Sequence, residues 1–136
     1  IHFTTNSSAS NRLIQMGEAK NSCFVIGSPD IQIMQSSALP EIQSVKNYYE
    51  ILFEKYSICI FHPVATEIDN LTNQVRELVS ALINSNKNYI VVYPNNDAGS
   101  DIILNEYNKL NNNKNFKLFP SIRFKNFLSL LKNSDW

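Results

Sequence analysis

Much of what would assign a function at sight is missing from this sequence. The chain has no excess charge, since twelve Lys and Arg balance twelve Asp and Glu. That argues against a dedicated nucleic-acid binder, which carries a basic face, but not against a small anionic ligand. No run approaches the roughly 20 continuous apolar residues of a membrane helix. No basic stretch followed by an apolar run opens the chain, the pattern of a signal peptide. With three glycines and two histidines, it holds no GxGxxG after a strand, no GxxxxGK[ST], no GxSxG elbow and no Cys/His cluster at metal-ligand spacing. The reading therefore expects no metal. Of its two cysteines, Cys23 and Cys59 each sit inside an apolar run. A disulfide is possible there, but the favoured expectation is reduced thiols in a cytoplasmic protein.

What is present is an alternation of short apolar runs and helical periodicity over 136 residues, one domain's worth of chain. A first helix is expected over Ser8 to Met16, stopped by Gly17. Cys23 to Ile26 reads as a buried strand closed by the turn Gly27-Ser28-Pro29-Asp30. After Pro40, Ile42, Val45, Tyr49 and Leu52 recur at spacings of three and four, a second helix. Ser57 to Phe61 is a strand ended by His62-Pro63. Ile68, Leu71, Val75, Leu78 and Leu82 then give the clearest helix, with Thr66 placed to cap it. Tyr89 to Tyr93 is a β-branched and aromatic strand. Ile102, Ile103, Tyr107 and Leu110 mark a helix, Phe116 to Phe119 a strand, and Phe124, Phe127, Leu128 and Leu131 a last helix. Strands apolar on both faces alternating with helices predict an α/β, Rossmann-like parallel sheet with helices on both faces. The many asparagines are spread over helices and loops and read as compositional bias.

In such a sheet, ligands bind beyond the carboxyl ends of the strands. That rule selects residues 27–30, 62–67, 94–100 and 120–122. His62, at a strand end beside a helix start, is placed to bind a phosphate or transfer a proton; spacing alone favours the plainer reading, a hydrogen bond to a loop carbonyl. Residues 95–100 supply what a tight turn and a helix cap need, and amides there also suit a ribose or phosphate. Glu67, Asp69 and Glu77 are candidate acid–base carboxylates, although a solvated helix face accounts for them. His2 is given no role.

The segments His62-Pro63-Val64-Ala65-Thr66-Glu67 and Tyr93-Pro94-Asn95-Asn96-Asp97-Ala98-Gly99-Ser100 together resemble the hydrolysing UDP-N-acetylglucosamine 2-epimerases of sialic acid and related nonulosonic acid biosynthesis. His2 to Asn6, Met16-Gly17-Glu18, the 27–30 turn and the run at 127–133 resemble the same family, so the likeness spans the chain. It implies a GT-B-type fold of two facing Rossmann-like domains. Residues 1–20 would end the first domain and link it to a nucleotide-binding domain over 21–136, truncated at its carboxyl end. The start at Ile1 and the close at Ser134-Asp135-Trp136, just past a helix, carry the same expectation of a piece of a longer protein. By similarity, His62 contacts the UDP phosphates and aids departure of the leaving group. Asn95 lies beside the nucleotide, Asp97 shapes its turn, and Ser121 and Ile122 meet the uracil through backbone groups.

The implied reaction is anti elimination of UDP across C1 and C2 of the sugar, followed by addition of water. It releases an N-acetylmannosamine-type sugar and needs no cofactor. The implied partner is UDP-N-acetylglucosamine or a UDP-diacetamido sugar, with no nucleic acid and no membrane, in a homo-oligomeric full-length enzyme. The carboxylates for the C2 proton belong to the first domain, and further ribose and phosphate contacts come after residue 136, so the fragment alone is expected to be inactive. Non-hydrolysing relatives carry His-Arg-Arg-Glu where this chain has His-Pro-Val-Ala. Asp101 stands where feedback-inhibited animal relatives have a basic residue, so the resemblance does not extend to that inhibition. The alternatives are a GT-B glycosyltransferase domain, whose acidic nucleotide-binding motif is missing, and a non-catalytic nucleotide-binding module.

Overall fold

The computed structural model describes residues 1–35, 39–64 and 66–135. Ala65 of the 62–67 segment and the terminal Trp136 therefore lie outside the described residues. The chain divides into two compact units, residues 1–39 and 40–136.

The first unit contains strand β1 (His2–Thr4), helix α1 (Ser7–Gln15), strand β2 (Cys23–Val25) and helix α2 (Pro29–Met34). Asn6 caps α1 by accepting a hydrogen bond from the Ala9 amide at 2.9 Å. Gly17, at φ +104°, ends it as expected. The Gly17 amide donates to the Ile14 carbonyl and the Glu18 amide to that of Leu13, the paired bonds of a Schellman stop. The two strands pair in parallel, with Phe3 opposite Phe24. Two elements went unforeseen here. Strand β1 is only three residues long, and α2 begins inside what the sequence reading took for a closing turn. Its signals were present: Ser28 at the N-cap, Pro29 at the first helical position and Asp30 in the first turn.

The second unit is a three-stranded parallel sheet in the order β3 (Ser57–Ile60), β4 (Tyr89–Val92), β5 (Phe116–Phe119). Helices α4 (Leu71–Asn84) and α5 (Ser100–Tyr107) cover one face. There Leu71, Val75, Val79, Leu82, Ile103 and Tyr107 pack on Cys59, Tyr89, Val91 and Phe116. The opposite face carries α3 (Ile42–Tyr48) and α6 (Phe124–Lys132), where Val45 and Leu130 pack with Tyr56 and Ile90. Period-two alternation sends Val91 to one core and Ile90 to the other, each at 0% exposure. Burying such a side chain contributes about 1.5–3 kcal/mol. Right-handed crossovers from β3 to β4 to β5 account for α4 and α5 sharing a face. The α/β class with parallel strands and helices on both faces is therefore present.

Three expectations need correction. The strand at 23–26 is not buried; it pairs with β1, and Phe24, Val25 and Ile26 remain 46–56% exposed. The helix after Pro40 does not reach Leu52, which is 93% exposed. It stops at a Schellman turn in which Glu50 adopts φ +52° and the Ile51 amide donates to the Lys46 carbonyl at 2.8 Å. Thr66 does not cap α4. A 3-10 turn over Ile68–Asn70 precedes that helix, neither has a side-chain cap, and the Asn70 amide donates to the Glu67 carbonyl instead.

Both cysteines are free thiols, Cys23 half-buried and Cys59 buried, and burial pushes the Cys59 thiol pKa upward. No described helix is long and apolar enough to cross a membrane. Past α6, the Asp135 amide donates to the Tyr56 carbonyl at the start of β3, 2.9 Å away.

Candidate functional site

The three parallel strands of the second unit end together, so the segments that follow them converge at one edge of the sheet. A cavity of about 250 Å³ opens there, lined by His62 after β3, Asn95 after β4, and Ser121 and Ile122 after β5. Four of the five residues singled out from the sequence therefore share one small space. Asp97 is not among its lining residues. Its carbonyl accepts the Ser100 amide at 3.0 Å and so closes the turn into α5. The cavity floor is apolar and aromatic: Ile60, Tyr93 and Phe127 of α6 complete it. Sequence reasoning used Phe127 as a helix-face residue and as the start of the 127–133 run, not as part of the site. Its place one turn into α6, directly after the 120–122 link, was the signal available.

His62 is exposed, and its side chain has no hydrogen-bond or ion-pair partner among the described residues. Asn95 and Ser121 are likewise exposed, whereas Ile122 also packs against the core beneath. The imidazole, the amide and the hydroxyl thus face solvent as free donors around an apolar floor, an arrangement suited to a polar ring with attached phosphates. The cavity is below the roughly 300–1,000 Å³ usual for drug-sized ligands, so it admits a small group and not a whole ligand of that size.

The carboxylates considered earlier lie elsewhere. Glu67, Asp69 and Glu77 are exposed, and Glu67 accepts from the Gln74 amide at 2.7 Å. Among the described residues of the unit, the buried carboxylate is Glu106, which is paired with Lys109 and, at 3.2 Å, with Arg76. The hydrogen bond from Lys109 does most to hold its carboxyl below the usual range. This network ties α4 to the end of α5 and does not line the cavity. No group of three or more His, Cys, Asp or Glu among the described residues could hold a metal ion.

The remaining strand-end segment, 27–30, belongs to the first unit. Gly27 and Ser28 border a broader hollow of about 800 Å³ together with Thr5, Asn6, Gln32 and Gln35. None of its lining side chains is ionisable, so it offers hydrogen bonds but no acid or base.

A family model described as UDP-N-acetylglucosamine 2-epimerase matches residues 1–136. A UDP-N-acetylglucosamine 2-epimerase of Neisseria meningitidis serogroup B is 46% identical over the whole chain, which covers 36% of that protein. The polysialic acid biosynthesis protein P7 of Escherichia coli is 31% identical over 98% of the chain and 35% of its own length. A hydrolysing UDP-N,N'-diacetylbacillosamine 2-epimerase of Legionella pneumophila is 27% identical over 98% of the chain and 36% of its own length. Among solved structures, a UDP-GlcNAc 2-epimerase from Methanocaldococcus jannaschii superposes with a TM-score of 0.58 at 21% identity, covering 98% of this chain and 39% of that one. The chain thus spans about a third of the length of these relatives. That superposition supports the Rossmann-like α/β fold, and the family match over every residue establishes that the chain belongs to the UDP-N-acetylglucosamine 2-epimerase family.

Proposed function

We propose that the cavity at the carboxyl ends of β3, β4 and β5 holds the UDP portion of a UDP-linked N-acetyl amino sugar, as part of a longer, hydrolysing 2-epimerase. The observation that carries this is convergence: side chains from three successive strand-to-helix links, His62, Asn95 and Ser121 with Ile122, line a single cavity. Three links meeting at the carboxyl edge of a parallel sheet is where such folds take their ligands. Phe127 and Ile122 supply an apolar wall for the base, the backbone of 121–122 its hydrogen bonds, and His62 a donor for a phosphate oxygen.

In this reading, a base removes the proton from C2 while the C1–oxygen bond to UDP breaks, leaving a C1–C2 double bond. Water then adds its hydroxyl to C1 and a proton to C2 from the opposite side, which inverts C2 and frees the sugar. His62 stabilises the charge that develops on the departing diphosphate. The C2 proton is left to carboxylates of a preceding domain, because no acidic side chain lines this cavity. The isolated chain is accordingly proposed to bind without turning over, and the whole enzyme to act as a cytoplasmic homo-oligomer. Release of the sugar by hydrolysis rests on the His62-Pro63-Val64 sequence and on relatives named as hydrolysing enzymes. Asp97 enters the proposal as the residue that shapes the Asn95 turn.

Calorimetric titration of UDP into the chain tests the assignment. Weak, saturable binding is expected, reduced about tenfold by His62→Ala, the effect of losing one charge-assisted hydrogen bond. Binding indifferent to His62 would place the nucleotide elsewhere. Absence of binding at millimolar UDP would overturn the assignment of the affinity to this unit.

A further inference from the structure

Gly99 is the N-cap of α5 and adopts φ +88°, a left-handed conformation that disfavours any side chain. Its surroundings are more informative than its dihedral. A Cβ placed on Gly99 would lie 2.5 Å from Cδ2 of Leu71 and 3.8 Å from Cβ of Pro63. Leu71 is the first residue of α4 and only 1% exposed, packed in the core with Val75, Cys59 and Ile103. It therefore cannot swing away without opening that core. Pro63 is the immediate neighbour of His62, and Asn95 lies four residues before Gly99. The bare backbone at 99 is thus where the segment bearing His62 and the segment bearing Asn95 approach one another. The turn itself is tied down: the Ser100 amide donates to the Asp97 carbonyl, and the Ile102 amide to that of Gly99.

We propose that Gly99 is a positioning residue for the nucleotide site, its missing side chain setting the separation between His62 and Asn95. This deepens the UDP reading and rests on it. A methyl group at 99 collides with Leu71 Cδ2 and only touches Pro63 at van der Waals distance; since Leu71 is locked, the 97–100 turn shifts against Pro63 and changes the separation of Asn95 from His62. Gly99 touches no ligand in this scheme and acts only through its two neighbours.

The test compares wild type, Gly99→Ala, Leu71→Ala and the double variant by calorimetry with UDP and by proton NMR of the imidazoles without nucleotide. His2 and His62 are the only histidines in the chain, so two sets of signals appear. His2, paired with Glu18 in the first unit, is an internal reference. Gly99→Ala should move the His62 signals, leave those of His2 in place, and weaken UDP binding by at least tenfold, a loss typical of misplaced binding groups. Adding Leu71→Ala vacates the colliding methyl, so the double variant should recover the His62 signals and most of the affinity whatever its melting temperature. A merely structural role would not produce that recovery. A folded Gly99→Ala with unchanged His62 signals, or with wild-type affinity, would overturn the proposal. Should Gly99→Ala not fold, the double variant is set against Leu71→Ala alone. Equal affinities would support the positioning role, and tenfold weaker binding in the double variant would refute it. A wild type that binds no UDP would overturn the functional reading and leave the positioning role decided by the nucleotide-free signals.

Discussion

Residues 1–39 and residues 40–136 use the same vocabulary of short parallel strands and amphipathic helices, yet they treat apolar side chains in opposite ways. In the second unit the central strand lies between helices on both faces, so Ile90 and Val91 are both fully buried although they face opposite sides of the sheet, and only Ile60 at the end of β3 stays open among its large apolar strand residues. In the first unit Phe3 and Phe24 stand opposite one another, their ring centroids 6.1 Å apart, yet they are 68% and 46% exposed. Ile1 and Ile26, on the same side by strand alternation, are more than half exposed as well. A strand's burial depends less on its own residues than on how many layers are stacked on it. Two three-residue strands present one face to α1; three longer strands between two pairs of helices are covered on both faces except where Ile60 opens to the cavity at the strand ends.

The largest expected effect that separates the units is a truncation in each. Ile90→Ala should cost about 2–5 kcal/mol, since it removes fully buried methyl groups and leaves a cavity. Phe24→Ala should change stability by less than about 0.5 kcal/mol, as surface substitutions do. Urea unfolding of the two variants decides the matter, and equal losses would mean that Phe24 is covered in solution.

A smaller effect concerns the polar tie inside the second core. The Tyr56 hydroxyl donates to the Leu130 carbonyl at 2.7 Å, joining the segment before β3 to α6. Tyr56→Phe removes one of the two hydrogen bonds that carbonyl accepts, the Asn133 amide keeping the other at 3.2 Å, and should cost about 1 kcal/mol. Burial, then the nearby Asp135, pushes the Tyr56 phenol up to about 12 from its ordinary value of 10. The fold favours the protonated phenol, so this contribution is complete below pH 10 and is lost as pH rises through 12. Stability measured up that alkaline limb should fall less steeply in Tyr56→Phe than in wild type.

The smallest expected effect concerns the ion pairs between α4 and the end of α5 in the same unit. Glu106→Gln should cost about 0.5 kcal/mol, because Arg76 and Lys109 are more than half exposed and water screens the pairs. The Glu106 carboxyl is held below the usual range, so its contribution is present at neutral pH and lost as pH falls through the lowered value. Thermal melts at low and high salt should show the difference between wild type and Glu106→Gln shrinking as salt rises.

The elements whose chemistry is local were legible. Gly17 marks a helix stop because only glycine adopts φ +104° without cost, and the stop is there. The periodic apolar residues of α4 predicted the helix and the side it buries. Glu50 was not legible as a stop, since glutamate ordinarily continues a helix; the Schellman bonds from Glu50 and Ile51 hold it in the left-handed region. Thr66 failed as a cap for a related reason: a 3-10 turn intervenes, and nothing in residues 66–70 alone reveals it. For the candidate site, the carboxyl-end rule applied to the sequence pointed to the links after β3, β4 and β5. That their side chains meet in one cavity needed the parallel register.

Sequence alone determined the family, the α/β class and the order of helices and strands in the second unit, because these follow from residue pattern and periodicity along the chain. Tertiary structure decided which strands share a sheet, which apolar residues stay open to water, and that Gly99 lies against Leu71 and Pro63. Those outcomes depend on contacts between residues far apart in the chain, where the free energy of packing is settled by which layers come to lie against one another.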